Sequence, residues 1–505
     1  MTTSISTAEV GAVSSQIEKA KLRPQTSASR FRHTLASRFG FLIICVAIVL
    51  SALVYGTVHY WALAVFSLGA FAIFTLWVFD GWSLGVLRIS RNPLQLALLG
   101  ILALGAVQLL PLRSSAAGSG LAVPAVRSLS LDPYSTRLFL VQTAALFIYF
   151  AAVLVFTDTP HRLRILVRTI TIFGFFLAIF GLTQSFTSPN KVYWVRELSQ
   201  STAFGPFINR HHFAGYMELT IALPLGLIFA GSVEKEKRFI YLFAAGLMAV
   251  ALIMTNSRGG IISLVAEVLF LATVGGFRKR HHKQTKEKPG VMSSASVRAA
   301  LALVLIVVVL AGVVLLGGEE ALSRFVGTVN TDDPTTGRTH FWSVTVEIIK
   351  AHPILGTGLG AFGLVYTHYD SRNGLFRLEQ AHNDYLQILS DGGIIGAALA
   401  LFFVIILFRQ AFARRESRDD FRRGVCIGAL AGCFAVLVHS FFDFTLHTTS
   451  NALLFLILAA LATMNGRVEQ PQARRRRRRR TGDVPPTVET PQSPASVERS
   501  EPTRV

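Results

Sequence analysis

Long apolar runs, not alternating or amphipathic patterns, dominate this chain. Twelve stretches rich in Leu, Val, Ile, Phe and Ala lie near 39–56, 58–79, 93–111, 138–157, 164–186, 212–231, 239–255, 259–277, 299–317, 384–408, 424–445 and 451–465. Crossing a bilayer as a helix takes about 20 mostly apolar residues, and most of these runs meet or approach that length. They lack the alternation of a transmembrane barrel strand. The pattern predicts an all-α, polytopic integral membrane protein of about 12 transmembrane helices. A basic tail spans 1–38, the membrane domain 39–465, and an Arg-rich tail 466–505.

Composition agrees with that class and excludes others. The 505 residues are 51% hydrophobic and 15% charged, against about 25% charged in an ordinary soluble domain. A soluble multidomain enzyme and a disordered scaffold are both excluded. The formal net charge is +20, but the basic residues sit between apolar runs and in the tails. With twelve spans, every strongly basic segment falls on one side: the tail before residue 39, the loops at Arg88/Arg91, Arg162/Arg164, Lys235–Arg238, 278–288 and 409–423, and the run Arg474–Arg480. The positive-inside rule makes that side, and both termini, cytoplasmic. The Arg474–Arg480 run reads as a disordered tail touching anionic lipid headgroups, not as a nucleic-acid patch. A cleaved signal peptide is not expected, because about 40 polar residues precede the first apolar run. Cys45, Cys426 and Cys433 all lie in apolar runs; no disulfide or zinc spacing can be drawn from them.

The opposite side carries the informative polar residues. Of its two long loops, 187–211 and 318–383, the second far exceeds an ordinary helix connection and predicts structure of its own. Within it, Thr339–Lys350 reads as a short helix ended by His352-Pro353 and Gly356, and Gly356-Thr-Gly358-Leu-Gly360 reads as a turn. Four clusters converge there: Asn209-Arg210-His211-His212 at the sixth span, Thr255-Asn256-Ser257-Arg258-Gly259-Gly260 between the seventh and eighth, Gly337-Arg338-Thr339-His340 in the loop, and His382-Asn383-Asp384 at the tenth. His439, Asp443 and His447, spaced i, i+4, i+8, are expected on one helix face as a structural network.

These residue types suit recognition of an anionic group beside a base. Arg258 and Arg338 stand at expected helix N-termini, where free N–H groups and the helix dipole add to a guanidinium. An arginine fork binds phosphate oxygens in bidentate fashion. His382 has a side chain suited to base work near neutral pH, although His211 and His340 are equally eligible by side. Glu218, two turns below His211, and Asp391, two turns below Asn383, lie within predicted spans. Acids at that depth usually face a cavity or a partner.

The ordered set NRHHFAGYMEL, TNSRGG, GRTHFW, HPILGTGLGAFG and AHNDYLQILSDGGIIG, followed by HSFFDFTLH, resembles the O-antigen ligase and Wzy-type polymerase superfamily, most specifically over roughly 200–450. The resemblance implies a bacterial inner-membrane glycosyltransferase, multi-pass, with a periplasmic active site formed around the large 318–383 loop. It implies inverting, metal-independent transfer from an undecaprenyl-pyrophosphate-linked glycan to an acceptor hydroxyl, with no cofactor and no nucleic acid. The acceptor is lipid A-core in ligases, the next repeat unit in polymerases, and a protein Ser or Thr in related oligosaccharyltransferases; ligation is preferred here, and a transporter is the rival from another class. Carried over by motif, His382 is the catalytic base. Arg258 and Arg338 bind pyrophosphate, although Trp342 follows Arg338 at four positions, a departure from the family spacing. Asn209, Arg210, His211, Asn383 and Glu218 complete the substrate-binding set.

Overall fold

A computed structural model describes residues 33–112, 128–189, 191–198, 202–275, 295–316, 338–370, 378–417 and 419–464. Among them the chain forms α1 (Leu35–Leu53), α2 (Tyr60–Leu84), α3 (Leu94–Gln108), α4 (Pro133–Phe156), α5 (Pro160–Thr187), α6 (Arg210–Phe229) and α7 (Lys235–Met254). It continues with α8 (Arg258–Val274), α9 (Ala295–Leu316), α10 (Arg338–Ala351), α11 (Phe362–Tyr369), α12 (Asp384–Arg414), α13 (Asp420–His439) and α14 (Thr449–Thr463). A two-residue hairpin, β1 (Lys191–Val192) with β2 (Arg196–Glu197), lies between α5 and α6 and pairs Lys191 with Glu197. The chain is a mostly helical, multi-pass membrane protein.

Among the described residues, eight helices are long and apolar enough to cross a membrane: α1, α2, α4, α5, α6, α7, α12 and α13. Leu94–Gln108, Ser296–Val308 and Thr449–Thr463 are shorter apolar helices. Every predicted span coincides with a helix, but a count of twelve crossings exceeds what length and composition support. Both tails beyond residues 33 and 464, and 276–294, 317–337 and 371–377 of the predicted loops, lie outside the described residues.

Sequence explains where the helices begin. Thr159 and Asp132 cap α5 and α4, each followed by a proline in the first turn, where the missing N–H costs nothing. Asn209, Ser257 and Asn383 cap α6, α8 and α12 in the same way, each accepting from backbone amides.

The centre of the bundle is α6, whose apolar window is entirely buried, flanked by α13 and by α14, which is buried along its full length. In a bilayer, apolar helices gain little from burying more hydrocarbon against each other, so close backbone contact and packing hold them together. Gly424, Gly428 and Gly432 repeat every four residues along α13 and let it lie on α6. A Cβ on Gly226 would sit 2.2 Å from the Gly428 Cα, and one on Gly428 would sit 2.5 Å from the Ala222 carbonyl oxygen. Exposed Leu68, Phe71, Phe74, Ile172, Phe176, Phe239 and Phe243 cover outward faces of α2, α5 and α7, as expected for lipid-facing surfaces.

The two ends of the bundle differ. At one end the start of α1, the end of α2 and the α4–α5 junction meet in a charged network. Arg88 donates to Asp80 (2.7 Å) and Asp158 (2.8 Å), and Arg162 donates to Ser37 and the Phe156 carbonyl. Arg422 and Arg423 bond to the last turns of α14 and α6 at that end. The N-termini of α6, α8 and α12 and the C-terminus of α13 meet at the other end.

Candidate functional site

The segment after α13 is the core of this second end, and it corrects one expectation. The helix stops at His439, so His439, Asp443 and His447 do not share a helix face. Ser440 to Phe444 form a turn, and Thr445–His447 a single 3-10 turn. The three side chains consequently go to three different partners. His439 Nδ1 lies 2.7 Å from Glu218 Oε1, His447 Nδ1 lies 2.8 Å from Asp384 Oδ1, and Asp443 faces His382, His211 and Arg338.

Asp443 is the hub. Its Oδ1 lies 3.3 Å from His382 Nδ1 and accepts from the Phe444 amide at 2.9 Å. Its Oδ2 lies 3.7 Å from Arg338 Nη2 and 3.8 Å from His211 Nδ1. The Asp443 side chain is 2% exposed, whereas His382, Arg338 and His211 are each about a quarter exposed. Burial works against charge on Asp443, but the hydrogen bond with His382 and the positive fields of His211, His382 and Arg338 outweigh it. They hold the carboxyl well below the usual carboxylate range. An ionised carboxylate only accepts, so the His382 nitrogen facing it carries a proton, which leaves Nε2 as the ring nitrogen available to a substrate.

His382 is positioned by more than Asp443. Its backbone is left-handed, with φ 52°, unusual for a non-glycine residue. The strained turn is held on both sides: the Ala381 carbonyl accepts from Trp342 Nε1 (3.1 Å), the Ala381 amide donates to Gln387 (2.6 Å), and Asn383 caps α12. The imidazole packs edge-on to Phe444 at 4.8 Å and lies over Phe341 at 6.4 Å.

Arg338 opens α10 and donates to the Phe442 carbonyl, which ties it to the same turn. The predicted loop helix Thr339–Lys350 is thus present, one residue longer at each end. Its inner face, Val344 and Ile348, packs with Phe362, Val365, Tyr366 and Ala381 into a small second core. The three glycines of the predicted turn have positive φ, and a Cβ on Gly356 would sit 2.4 Å from the Asp391 carbonyl oxygen. Asp391 itself is buried and accepts from the Gly360 amide and Gln387, beside the break in α12 at Gly393.

His211 Nδ1 lies 2.9 Å from the Ser257 hydroxyl that caps α8, which brings the α6 and α8 N-termini together one residue before Arg258. Gly259 and Gly260 are required by proximity: a Cβ on Gly259 would meet His439 at 2.8 Å, and one on Gly260 would meet Ala214 at 2.9 Å. Arg258 and Arg210 are the first residues of α8 and α6, whose N-termini His211 and Ser257 bring together.

The structure therefore gathers His382, Arg338 and His211 on one carboxylate, with Arg258 and Arg210 at adjoining helix starts. Other candidates have different surroundings. Asn209 and Asn383 spend their side-chain oxygens on helix caps, and Glu218 is fully buried with its Oε1 2.7 Å from His439 Nδ1. His340 Nε2 bonds Asp370 at 2.8 Å, in the α10–α11 layer and away from Asp443. Asp443 and Ser257 were not named as site residues from sequence. The i+4 spacing in HSFFDFTLH flagged Asp443, but as helix and not as turn.

Residues 243–401 match the O-antigen ligase family model, Wzy_C. No curated protein matches the chain. The matched segment is consistent with the O-antigen ligase superfamily and holds Arg258, Arg338, His382 and Asn383. Asn209, Arg210, His211, Glu218 and Asp443 lie beyond it. Together with the apolar helices, the match is consistent with a multi-pass membrane protein that is similar, over this segment, to the O-antigen ligase family.

Proposed function

We propose that the protein transfers a glycan from undecaprenyl pyrophosphate to an acceptor hydroxyl at the periplasmic face of the bacterial inner membrane, most directly as an O-antigen ligase acting on lipid A-core. The observation that carries this reading is the shared carboxylate: Asp443 joins His382, the base in this proposal, to Arg338, its phosphate-binding cation. The acceptor oxygen bonds the anomeric carbon and its proton passes to His382 Nε2. The carbon–oxygen bond to pyrophosphate breaks on the opposite side, which inverts the centre, and the electron pair leaves on pyrophosphate. Arg338, Arg258 and Arg210 offset the charge that develops there, each charge-assisted bond contributing roughly 1.5–3 kcal/mol. This scheme routes no step through a metal or a nucleotide.

The envelope of a host lacking the protein tests the reading. Bare lipid A-core with long polymer accumulating on the undecaprenyl carrier is the expected result. Core capped by single repeat units would instead indicate a polymerase. No change in either pool would overturn lipopolysaccharide as the product.

A further inference from the structure

A second histidine–carboxylate pair stands beside the first and is unused by the scheme above. His447 Nδ1 lies 2.8 Å from Asp384 Oδ1, and the Ser440 hydroxyl donates to Asp384 Oδ2 at 2.7 Å. The Asp384 amide donates to the Ser440 carbonyl at 2.9 Å, so the pair is locked to the turn that carries Asp443. His447 is 23% exposed, unlike the sealed Glu218–His439 pair at 0%.

Position gives the pair its meaning. Along the turn, Phe442 and Asp443 meet Arg338 and His211, on the arginine side. Phe444 comes next, with its ring 4.8 Å from His382 and 6.4 Å from His447. His447 lies beyond that ring, and its carbonyl accepts from Gln142 of α4 at 3.4 Å. An in-line displacement needs leaving group and acceptor on opposite sides of the reacting carbon. With pyrophosphate on the arginine side of His382, the far side belongs to the acceptor.

Resting on the glycosyl-transfer reading, we infer that His447 and Asp384 form the acceptor subsite, with His447 Nε2–H donating to an oxygen of the acceptor sugar next to the attacking hydroxyl. Nδ1 is spent on Asp384, leaving Nε2 the one nitrogen open to a ligand. Burial opposes charge on His447, but the hydrogen bond and charge of Asp384, with Asp391 behind it, outweigh burial and raise its pKa above the ordinary histidine value. A raised pKa favours the form in which Nε2 carries a proton, so in this assignment His447 donates and base work stays with His382.

The test is steady-state kinetics of the full-length protein in liposomes, with a lipid-linked oligosaccharide as donor and lipid A-core as acceptor. For His447→Ala the KM for acceptor should rise about tenfold, the effect of one lost hydrogen bond to a charged donor, while the KM for donor stays at the wild-type value. His447→Gln, which restores an N–H, should recover part of that loss and also covers the case in which the alanine variant does not fold. An unchanged acceptor KM in the glutamine and alanine variants, or a fall in kcat alone, would overturn the assignment while leaving glycosyl transfer intact. A wild-type protein that turns over no lipid-linked donor would overturn both readings.

Discussion

Replacing Asp443 by Asn removes a charge from the site while keeping the side chain's size and planarity. The two carboxylate oxygens have different neighbours: Oδ1 faces the Phe444 amide and His382 Nδ1, and Oδ2 faces Arg338 and His211. All of these are donors or cations, so an amide must turn its NH2 toward one donor set whichever way it lies. The charge-assisted bond to His382 contributes roughly 1.5–3 kcal/mol, and the longer, partly exposed ion pair with Arg338 up to about 1 kcal/mol. A net loss of about 2–4 kcal/mol of local order follows, and it falls on the base and on the phosphate-binding arginine together. General-base catalysis supplies about 10²–10⁴-fold, and a base held in the wrong tautomer forfeits most of it, so kcat should fall about 10²–10³-fold. The assay is the initial rate of glycan transfer by reconstituted protein, with thermal unfolding measured alongside. Asp443 has a depressed folded pKa, so its contribution to stability is fully present above the unfolded aspartate value near 3.9 and is lost only as pH falls through the lower folded value. A variant that folds and retains transfer within about threefold of wild type would refute Asp443 as the organiser of the site.

Three further outcomes follow from the geometry. Arg338→Lys keeps the charge but loses the planar fork that meets both the Phe442 carbonyl and Asp443, and should raise the donor KM about tenfold or more in kinetic assays. Gly226→Ala places a methyl 2.2 Å from the Gly428 Cα, backbone against backbone, and should cost at least about 1–3 kcal/mol in unfolding measurements or abolish expression. The His447–Asp384 pair stabilises the fold fully below the ordinary histidine value of 6.5 and loses its contribution as pH rises through the raised folded value. Wild-type Tm should therefore drop between about pH 6 and pH 9, and Asp384→Asn should flatten that part of the curve.

Much of this architecture is legible in the sequence because membrane helices must satisfy their own backbone and announce themselves by unbroken apolar length. The caps are equally plain: Asn209, Ser257 and Asn383 each stand one residue before a helix, and each caps it. Where sequence reading failed, a local period misled. His439, Asp443 and His447 repeat at four residues with no glycine or proline between them, which reads as helix. The chain instead leaves the helix at Ser440 because Asp384 and Asn383 of α12 bind its turn, Asp384 to Ser440 and Asn383 to the Phe441 carbonyl. Those partners are about 56 to 58 residues away in the chain, beyond any local pattern. The same distance hides the hub: the pairing of Asp443 with Arg338, His211 and His382 exists only after three helices meet. The sequence does not announce α11, because three glycines precede it and its apolar face is short.

The central claim is tested most directly by purified protein in liposomes, given a lipid-linked oligosaccharide and an acceptor glycan with a chelator and without ATP or an ion gradient. The account predicts transfer by the wild-type protein, its loss in His382→Ala and a severe reduction in Arg338→Ala, with all three proteins folded. Transfer that required a gradient or an added metal, or that continued at full rate in His382→Ala, would contradict it.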